Sequence, residues 1–324
     1  MPKVPALLRS GARGARKTLR IVWNVVTLSE TARRYPDRAH ELLWRWFARR
    51  SARGRLINTY GKYLHGRHRV RQTRRPDSEH TFFLRNKVQF EVLRDLVRDW
   101  PASEPLRIAS IGCSTGAELY SAIWTVLTTR GDLDLVAIGM DVSTPALSAA
   151  HMARYSRTGR ELARLTPAQV DELIQGGLFI DEHETVAVPP CFRERATWVM
   201  GSVFDTKLRQ RLGPQDIVFV NNVLCHFHDP QAAAGLENIA ELVDAGGYLF
   251  LSGVDADVKT GVVRTIELTP VLDRIEDLYH GDERALTRWP MTYWGPEPFD
   301  RRHPDWKVRY ATLFRRRDAG ARRT

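Results

Sequence analysis

The chain has 324 residues, 43% of them hydrophobic, and a formal net charge of +11. That length suits one large α/β core plus a smaller appendage, and that balance fits a soluble globular protein. Three scattered cysteines, Cys113, Cys191 and Cys225, lack metal-ligand spacing, which argues against a metal–thiolate centre and predicts reduced thiols, small core residues and a cytoplasmic setting.

Residues 1–80 carry 20 Lys and Arg against 5 Asp and Glu, and the rest carry 29 against 33, so the basicity belongs to the N-terminal segment. Residues 1–20, rich in Pro, Gly, Ala and Arg, read as a basic flexible N-terminus. Their Arg-rich composition resembles an organelle transit peptide, but arginine is abundant throughout. No secretory signal is visible, and the apolar run Leu19–Leu28 is broken by Arg20 and Asn24 and too short to span a bilayer. Residues 21–100 read as a basic helical region, with Leu42, Leu43, Trp46 and Phe47 at helical spacing. Two readings stand: a helical cap on the main body with its arginines solvated, or a contact surface for an anionic partner such as a membrane, nucleic acid or acidic protein. The cap is favoured because Trp44, Trp46 and Phe47 need burial.

A polar linker is expected at 67–79, with Asp77 or Ser78 capping an amphipathic helix built on Phe82, Phe83, Val88, Phe90, Leu93 and Leu96. Residues 101–324 then alternate strand and helix. The pattern predicts strands near 106–111, 134–140, 196–200, 216–221 and 247–252, and a late strand at 307–315. It predicts helices near 116–129, 145–154, 166–176, 231–243 (closed by Gly246 and Gly247) and 270–279, with a mixed segment or hairpin at 178–194. Strands separated by helices imply a doubly wound, mostly parallel sheet. The aromatic, proline-rich stretch from Trp289 to Pro298 reads either as a pocket wall or as a plug under a long loop.

In such sheets the ligand lies beyond the carboxyl ends of the strands. The first strand ends in Gly112-Cys113-Ser114-Thr115-Gly116 and runs straight into a helix. Glycines there let a ligand approach the backbone. The spacing is Gly-x-Ser-x-Gly, without the third glycine of dinucleotide-binding turns, and it suits S-adenosylmethionine, which has no pyrophosphate. Asp141, 25 residues past Gly116 at the tip of the second strand, is placed to accept ribose hydroxyls; Ser143 or Thr144 can cap the next helix in its stead. Ser202 and Val203 end the third strand, where adenine would lie. Asn221 and Asn222 end the fourth, where two amides are costly to bury unpaired; both are expected to contact the cofactor, with a structural turn as the alternative. No metal enters this reading.

In order along the chain, Thr81-Phe82-Phe83-Leu84-Arg85, Ser114 to Ser121, Gly139-Met140-Asp141-Val142-Ser143, Phe219 to Phe227 and Gly246-Gly247-Tyr248 form five blocks. Together they resemble the CheR-type S-adenosylmethionine-dependent methyltransferases, named for chemotaxis enzymes that esterify receptor glutamates. The resemblance runs from about Tyr60 to Gly253. It implies a seven-stranded Rossmann-like sheet and S-adenosyl-L-methionine as cofactor. It also implies that Glu118 faces the methionine amino group, Asp141 holds the ribose, Ser202 and Val203 lie against adenine, Asn222 lines the site beside the methyl group and Arg85 stands near the reacting end. The chain departs from the family at Leu84, a phenylalanine there, at Asn221, an arginine, and at His226, a tyrosine.

With the last two departures assigned to the acceptor side, the expectation is O-methylation of a small-molecule or glycan-like acceptor, with His226 as base for a hydroxyl or amine. A protein-glutamate methyltransferase, which needs only Arg85 to position a carboxylate, is the alternative. A nucleic-acid methyltransferase and a non-catalytic cofactor binder complete the set.

Overall fold

The computed structural model describes residues 81–281 and 296–317, together with Trp44, Tyr60, Gly61 and Tyr63–His65. The chain divides into two units, Met1–Leu64 and His65–Thr324. In the first, the rings of Tyr60 and Tyr63 stack at 6.5 Å and Trp44 lies 6.5 Å from Tyr60. The flexible start, most of the helical cap, the 67–79 linker and the aromatic stretch up to residue 295 lie outside the described residues.

The larger unit begins with α1 (Lys87–Arg98), then β1 (Leu106–Ile111), α2 (Ala117–Thr129), β2 (Leu135–Asp141), α3 (Thr144–Met152) and β3 (Arg154–Ser156). Next come α4 (Pro167–Gln175), β4 (Ile180–Glu182), β5 (Thr185–Ala187), β6 (Ala196–Met200) and β7 (Gln215–Asn221). The chain continues through α5 (Asp229–Leu242), β8 (Val243–Ser252), α6 (Ala256–Val263), β9 (Leu268–Pro270), α7 (Ile275–His280) and β10 (Leu313–Arg316). Seven strands form one sheet in the order β6-β2-β1-β7-β8-β10-β9, and β3-β5-β4 form a small antiparallel sheet. The first five strands of the large sheet are parallel, and β10 is antiparallel to both its neighbours. From β1 the chain winds outward through β2 to β6 and then crosses back to β7 on the other side. The strand order therefore switches between β1 and β7, the place beyond whose carboxyl ends sheets of this kind bind their ligands.

β1 is central because its sequence, Leu-Arg-Ile-Ala-Ser-Ile, is buried at every position but Arg107. Both faces of the sheet are covered. On one face Phe90 of α1 stacks on Phe219 at 6.2 Å, and Phe219 on Phe250 at 4.6 Å. On the other, Val218 and Val220 pack with Leu236 and Ile239 of α5. The Phe90 contact places α1 in the core of the larger unit, although the sequence groups it with the N-terminal region.

Several boundaries differ from the sequence reading, each for a non-local reason. The first helix starts at Lys87 with Asn86 as its N-cap, because residues 81–86 are held as a turn by contacts across the fold. α3 stops at Met152, and Ala153 takes a left-handed backbone (φ 54°) so that the chain can enter β3. α5 passes directly into β8 at Val243; Gly246 and Gly247 form a bulge inside that strand instead of closing the helix, and a Cβ at Gly247 would lie 2.7 Å from the Asp216 carbonyl. Residues 268–270 pair with β10, so the helix foreseen from Pro270 begins only at Ile275. The late strand is Leu313–Arg316, and Trp306–Arg309 is a helical turn. That turn carries Arg309, which is 3% exposed and pairs with Glu297 and Asp257. Cys113 and Cys225 are buried as expected, whereas Cys191 is exposed. Among the described residues no helix is long and apolar enough to cross a membrane.

Lys259 on α6 is 4% exposed and donates from Nζ to the Ala311 carbonyl at 2.6 Å. Lost hydration, and then nearby Arg309, lower its pKa from 10.5 to about 7, against the pull of Glu297 and Asp255. The unfolded chain therefore binds more protons than the folded one from about pH 7 to 10.5, and stability rises with pH across that window. Urea titrations of wild type and Lys259→Met at pH 7 and 9 test this. The wild type should gain stability relative to the variant with a slope of up to about 1.4 kcal/mol per pH unit; equal pH dependence would refute the assignment.

Candidate active site

The turn after β1 is a backbone cradle. Gly112, Ser114 and Gly116 all take left-handed backbone (φ 73°, 50° and 85°), and the N–H groups of Gly112 and Cys113 donate to the Met140 carbonyl at 2.7 and 3.0 Å. A Cβ on Gly112 would lie 2.3 Å from Val223 Cγ2, and one on Gly116 would lie 2.6 Å from the Trp198 ring. Asp141, at the end of β2, accepts from the Ser114 N–H at 2.8 Å through Oδ2 and from the Ser143 N–H at 2.9 Å through Oδ1. The cap of α3 is Ser143, which accepts from the Ala146 N–H at 3.2 Å. Asp141 is thus free of the capping role and ties the β1 turn to the β2 turn. Ser114 is 8% exposed, and its Oγ meets no hydrogen-bond partner among the described residues.

One helical residue into α2, Glu118 turns back toward the strand tips. Its Oε1 accepts from Ser110 Oγ at 2.8 Å and its Oε2 from Asn221 Nδ2 at 2.7 Å. Burial pushes this carboxyl above its ordinary value, while Asn221, Ser110 and the nearby Arg85 guanidinium pull it back. Asn221 also exchanges two bonds with Gln89 of α1 and accepts from Ser252 Oγ at 2.7 Å. The sequence reading missed Gln89, because nothing local distinguishes it from any other polar residue on an amphipathic helix.

Arg85 reaches the same tips from a pinned turn. The Phe83 N–H donates to the Glu161 carbonyl at 3.0 Å, the Leu84 N–H to Ser121 Oγ at 3.1 Å, and Asn86 Nδ2 to the Leu278 carbonyl at 3.0 Å. The fully buried Phe83 ring meets Tyr155 and Phe179 edge-on at 4.9 and 4.7 Å. Leu84 takes a left-handed backbone (φ 50°), a strain that these contacts hold in place. With its amide oxygen facing the guanidinium, Asn222 accepts from both Arg85 Nη atoms at 3.2 and 3.1 Å. Arg85 also lies 5.5 Å from the centre of the Phe82 ring. Cys225 Sγ contacts the Asn222 carbonyl at 3.4 Å, and burial pushes its thiol up to about 12, so it is protonated and inert.

Glu161 also escaped the sequence reading. Besides its carbonyl bond to Phe83, its carboxylate accepts from Thr115 Oγ1 at 2.9 Å, so one residue touches both the arginine turn and the glycine turn. His226 lies in the short 3-10 turn Leu224–His226 just past Asn222, half-buried. Ser202 and Val203 follow β6; Ser202 Oγ accepts from the Phe204 N–H at 3.2 Å, and Val203 is buried with its carbonyl on Asn238 at 2.9 Å. Their neighbour Phe204 is exposed and meets Phe227 edge-on at 4.8 Å, and Val142, just past Asp141, is exposed too. Neither was among the expected site residues; Val142 directly follows the strand-end Asp141, whereas Phe204 lies four residues past the end of β6.

Gly112, Ser114, Gly116, Glu118, Asp141, Asn221, Asn222, Arg85 and His226 therefore gather around the tips of β1, β2 and β7, with Ser202 and Val203 at the β6 end of the same edge. Among the described residues no group of three His, Cys, Asp or Glu side chains is placed to hold a metal ion. Residues 79–269 match the family described as CheR methyltransferase, SAM binding domain. The chain belongs to the CheR methyltransferase family. It is 29% identical over 186 residues to a probable biofilm formation methyltransferase, WspC, of Pseudomonas putida, a match covering 55% of this chain and 42% of that protein. It is 29% identical over 182 residues to chemotaxis protein methyltransferase 2 of Vibrio cholerae, covering 53% of this chain and 60% of that one. The match thus spans less than two thirds of either relative. Among solved structures, magnesium protoporphyrin IX methyltransferase of Synechocystis with bound SAM aligns over 58% of this chain and 71% of that one at 13% identity, with a TM-score of 0.34. S-adenosylmethionine (SAM) is the ligand of this family's domain, and the residues present fit it: a left-handed glycine turn at the end of β1, the Asp141 carboxylate at the end of β2, the Glu118 carboxylate in the first turn of α2 and the orphaned Ser114 hydroxyl.

The close approach of the ends of β7 and β8 supplies a test. Gly253 has φ 66°, and a Cβ there would lie 2.5 Å from Asn222 Cα, backbone against side chain. Gly253→Ala should lower stability by more than the roughly 1–2 kcal/mol of a left-handed non-glycine residue alone, read as a drop in the urea midpoint. A midpoint equal to wild type would mean that the two strand tips are not in this contact.

Proposed function

We propose that this chain transfers the methyl group of S-adenosylmethionine to a carboxylate, the side chain of a glutamate in a partner protein. The observation that carries the reading is the Arg85 guanidinium, braced by Asn222 at the β7 tip. A carboxylate already has the lone pair that attacks, so it needs orientation and no base, and a guanidinium offers two parallel donors for that purpose. The names of the relatives, chemotaxis and biofilm-formation methyltransferases, support the same class. The small-molecule or glycan-like acceptor loses one of its two arguments, because the asparagine that replaces the family's arginine spends its amide on Gln89, Glu118 and Ser252.

In this reading Asp141 takes the ribose hydroxyls and Glu118 the methionine ammonium. Ser202, Val203 and exposed Phe204 flank adenine, Gly112, Ser114 and Gly116 line the turn, and Asn222 stands beside the methyl group. When bound, the cofactor supplies an electrophilic methyl on a sulfonium. The protein's part is to hold the acceptor oxygen in line with it and keep water out. No proton moves in forming a methyl ester from a carboxylate. The setting is the cytoplasm, where thiols stay reduced, and the basic residues 1–80 offer an anionic acceptor a further contact.

Two measurements test the reading. By calorimetry, Asp141→Ala should bind S-adenosylmethionine at least about tenfold more weakly, about 1.4 kcal/mol, for losing a charge-assisted ribose contact; unchanged affinity would remove Asp141 from the site. With methyl-labelled cofactor and chemoreceptor cytoplasmic fragments, the label should enter protein and be released as methanol by mild alkali. Arg85→Ala should cut kcat/KM for the acceptor by about 100-fold, roughly 2.7 kcal/mol, with a smaller loss of cofactor affinity. Alkali-stable label, or transfer only to hydroxylated small molecules and dependent on His226, would replace the carboxylate with a hydroxyl or amine acceptor.

A further inference from the structure

We propose that Gln89 is a positioning residue for the cofactor: through Asn221 it fixes the Glu118 carboxylate in the orientation that receives the methionine ammonium. The proposal rests on the reading of Glu118 given above.

Gln89 is 3% exposed and lies on the first turn of α1, so its amide must find partners inside the protein. It finds them in Asn221, 132 residues away. Gln89 Nε2 donates to Asn221 Oδ1 at 3.3 Å, and Asn221 Nδ2 donates to Gln89 Oε1 at 3.0 Å. An asparagine amide has two N–H donors and room for two accepted bonds. Asn221 uses all four, since its second N–H goes to Glu118 Oε2 at 2.7 Å and its oxygen also accepts from Ser252 Oγ at 2.7 Å. It has nothing left to offer a ligand. Asn221 therefore acts on the cofactor through Glu118, although its place at a strand tip suggests direct contact.

Gln89 locks the plane of that amide. Without it the Asn221 side chain turns about its last torsion, the N–H leaves Glu118 Oε2, and a carboxylate that burial already disfavours loses one of its two donors. The remaining donor is Ser110 Oγ on Oε1. The other ionisable groups facing Glu118 are Arg85, which favours its charged form, and Cys113, whose buried thiol stays protonated. Loss of the Asn221 bond shifts Glu118 toward its protonated form, which cannot pair with an ammonium. The arrangement also joins the two ends of the site. Arg85, in the turn that precedes α1, and Gln89, on its first helical turn, are four residues apart, and the adjacent Asn222 and Asn221 hold one each. The same helix end thus sets both the acceptor arginine and the cofactor carboxylate.

The test is cofactor affinity as a function of pH, by calorimetry of the full chain between pH 5 and 8.5. In the wild type, affinity should fall at the acid end as Glu118 takes up a proton. Gln89→Met, similar in volume but without the amide, should weaken binding about tenfold at pH 7.5 and move the acid limb at least half a pH unit upward. Gln89→Glu, which keeps an acceptor for Asn221 Nδ2 but adds a negative charge, should move it further in the same direction. A purely structural role would lower the unfolding midpoint and leave the limb where it is; that result overturns the proposal. Glu118→Gln separates the two claims. If this variant binds the cofactor like the wild type, the reading of Glu118 fails and Gln89 has nothing to position. If it loses both affinity and the acid limb while the Gln89 variants retain the wild-type profile, the reading survives and the role of Gln89 is refuted.

Discussion

The architecture of the site depends on how closely three strand tips are brought together. Asn222 follows β7 with a left-handed backbone, wedged against Gly253 at the end of β8, while Val223 presses on Gly112 at the end of β1. Neither glycine position has room for a Cβ unless the neighbour moves. This crowding arises beside the point where the strand order reverses. Once the tips are fixed, the side chains that project from them have little freedom, and a small set of hydrogen bonds suffices to orient them.

Those bonds show which atoms remain available for a ligand. Ser114 Oγ is buried and without a protein partner. Asp141 spends one bond on each oxygen, both from main-chain N–H groups, and a carboxylate accepts about four. Glu118 likewise receives one donor per oxygen. By contrast the Asn221 amide is saturated. Two asparagines next to each other in sequence therefore have different duties: one stabilises the interior of the site and the other faces the arginine. The distinction follows from counting donors and acceptors, since a buried polar group left unpaired costs roughly 1–3 kcal/mol.

The small β3-β5-β4 sheet and the turns around it are wired into the same centre. Tyr155 on β3 donates from its hydroxyl to the Thr115 carbonyl at 2.7 Å and meets Phe83 edge-on, and Glu161 bonds both Thr115 and Phe83. A displacement of this sheet would reach the glycine turn and the arginine turn together. The positioning of Arg85 thus depends on Glu161 beside the small sheet, on α7 through the Leu278 carbonyl, and on α2 through Ser121.

The elements whose cause is local can be read directly along the chain. β1, its glycine turn and α2 are legible because an apolar run, small residues needing positive φ and a helix pattern follow one another without interruption. Asp141 is legible from its place at the end of β2, and α4 from Thr166-Pro167, which forms a capping box with Gln169. The remaining features follow from long-range packing. The start of α1, the passage of α5 into β8 and the C-terminal elements depend on pairings such as Leu268 with Arg316 and Arg309 with Glu297, which no local window contains. The duties of Asn221 and Gln89 were hidden for the same reason: an amide's role is set by what its four hydrogen-bonding positions meet, and those partners lie up to 132 residues away in the chain.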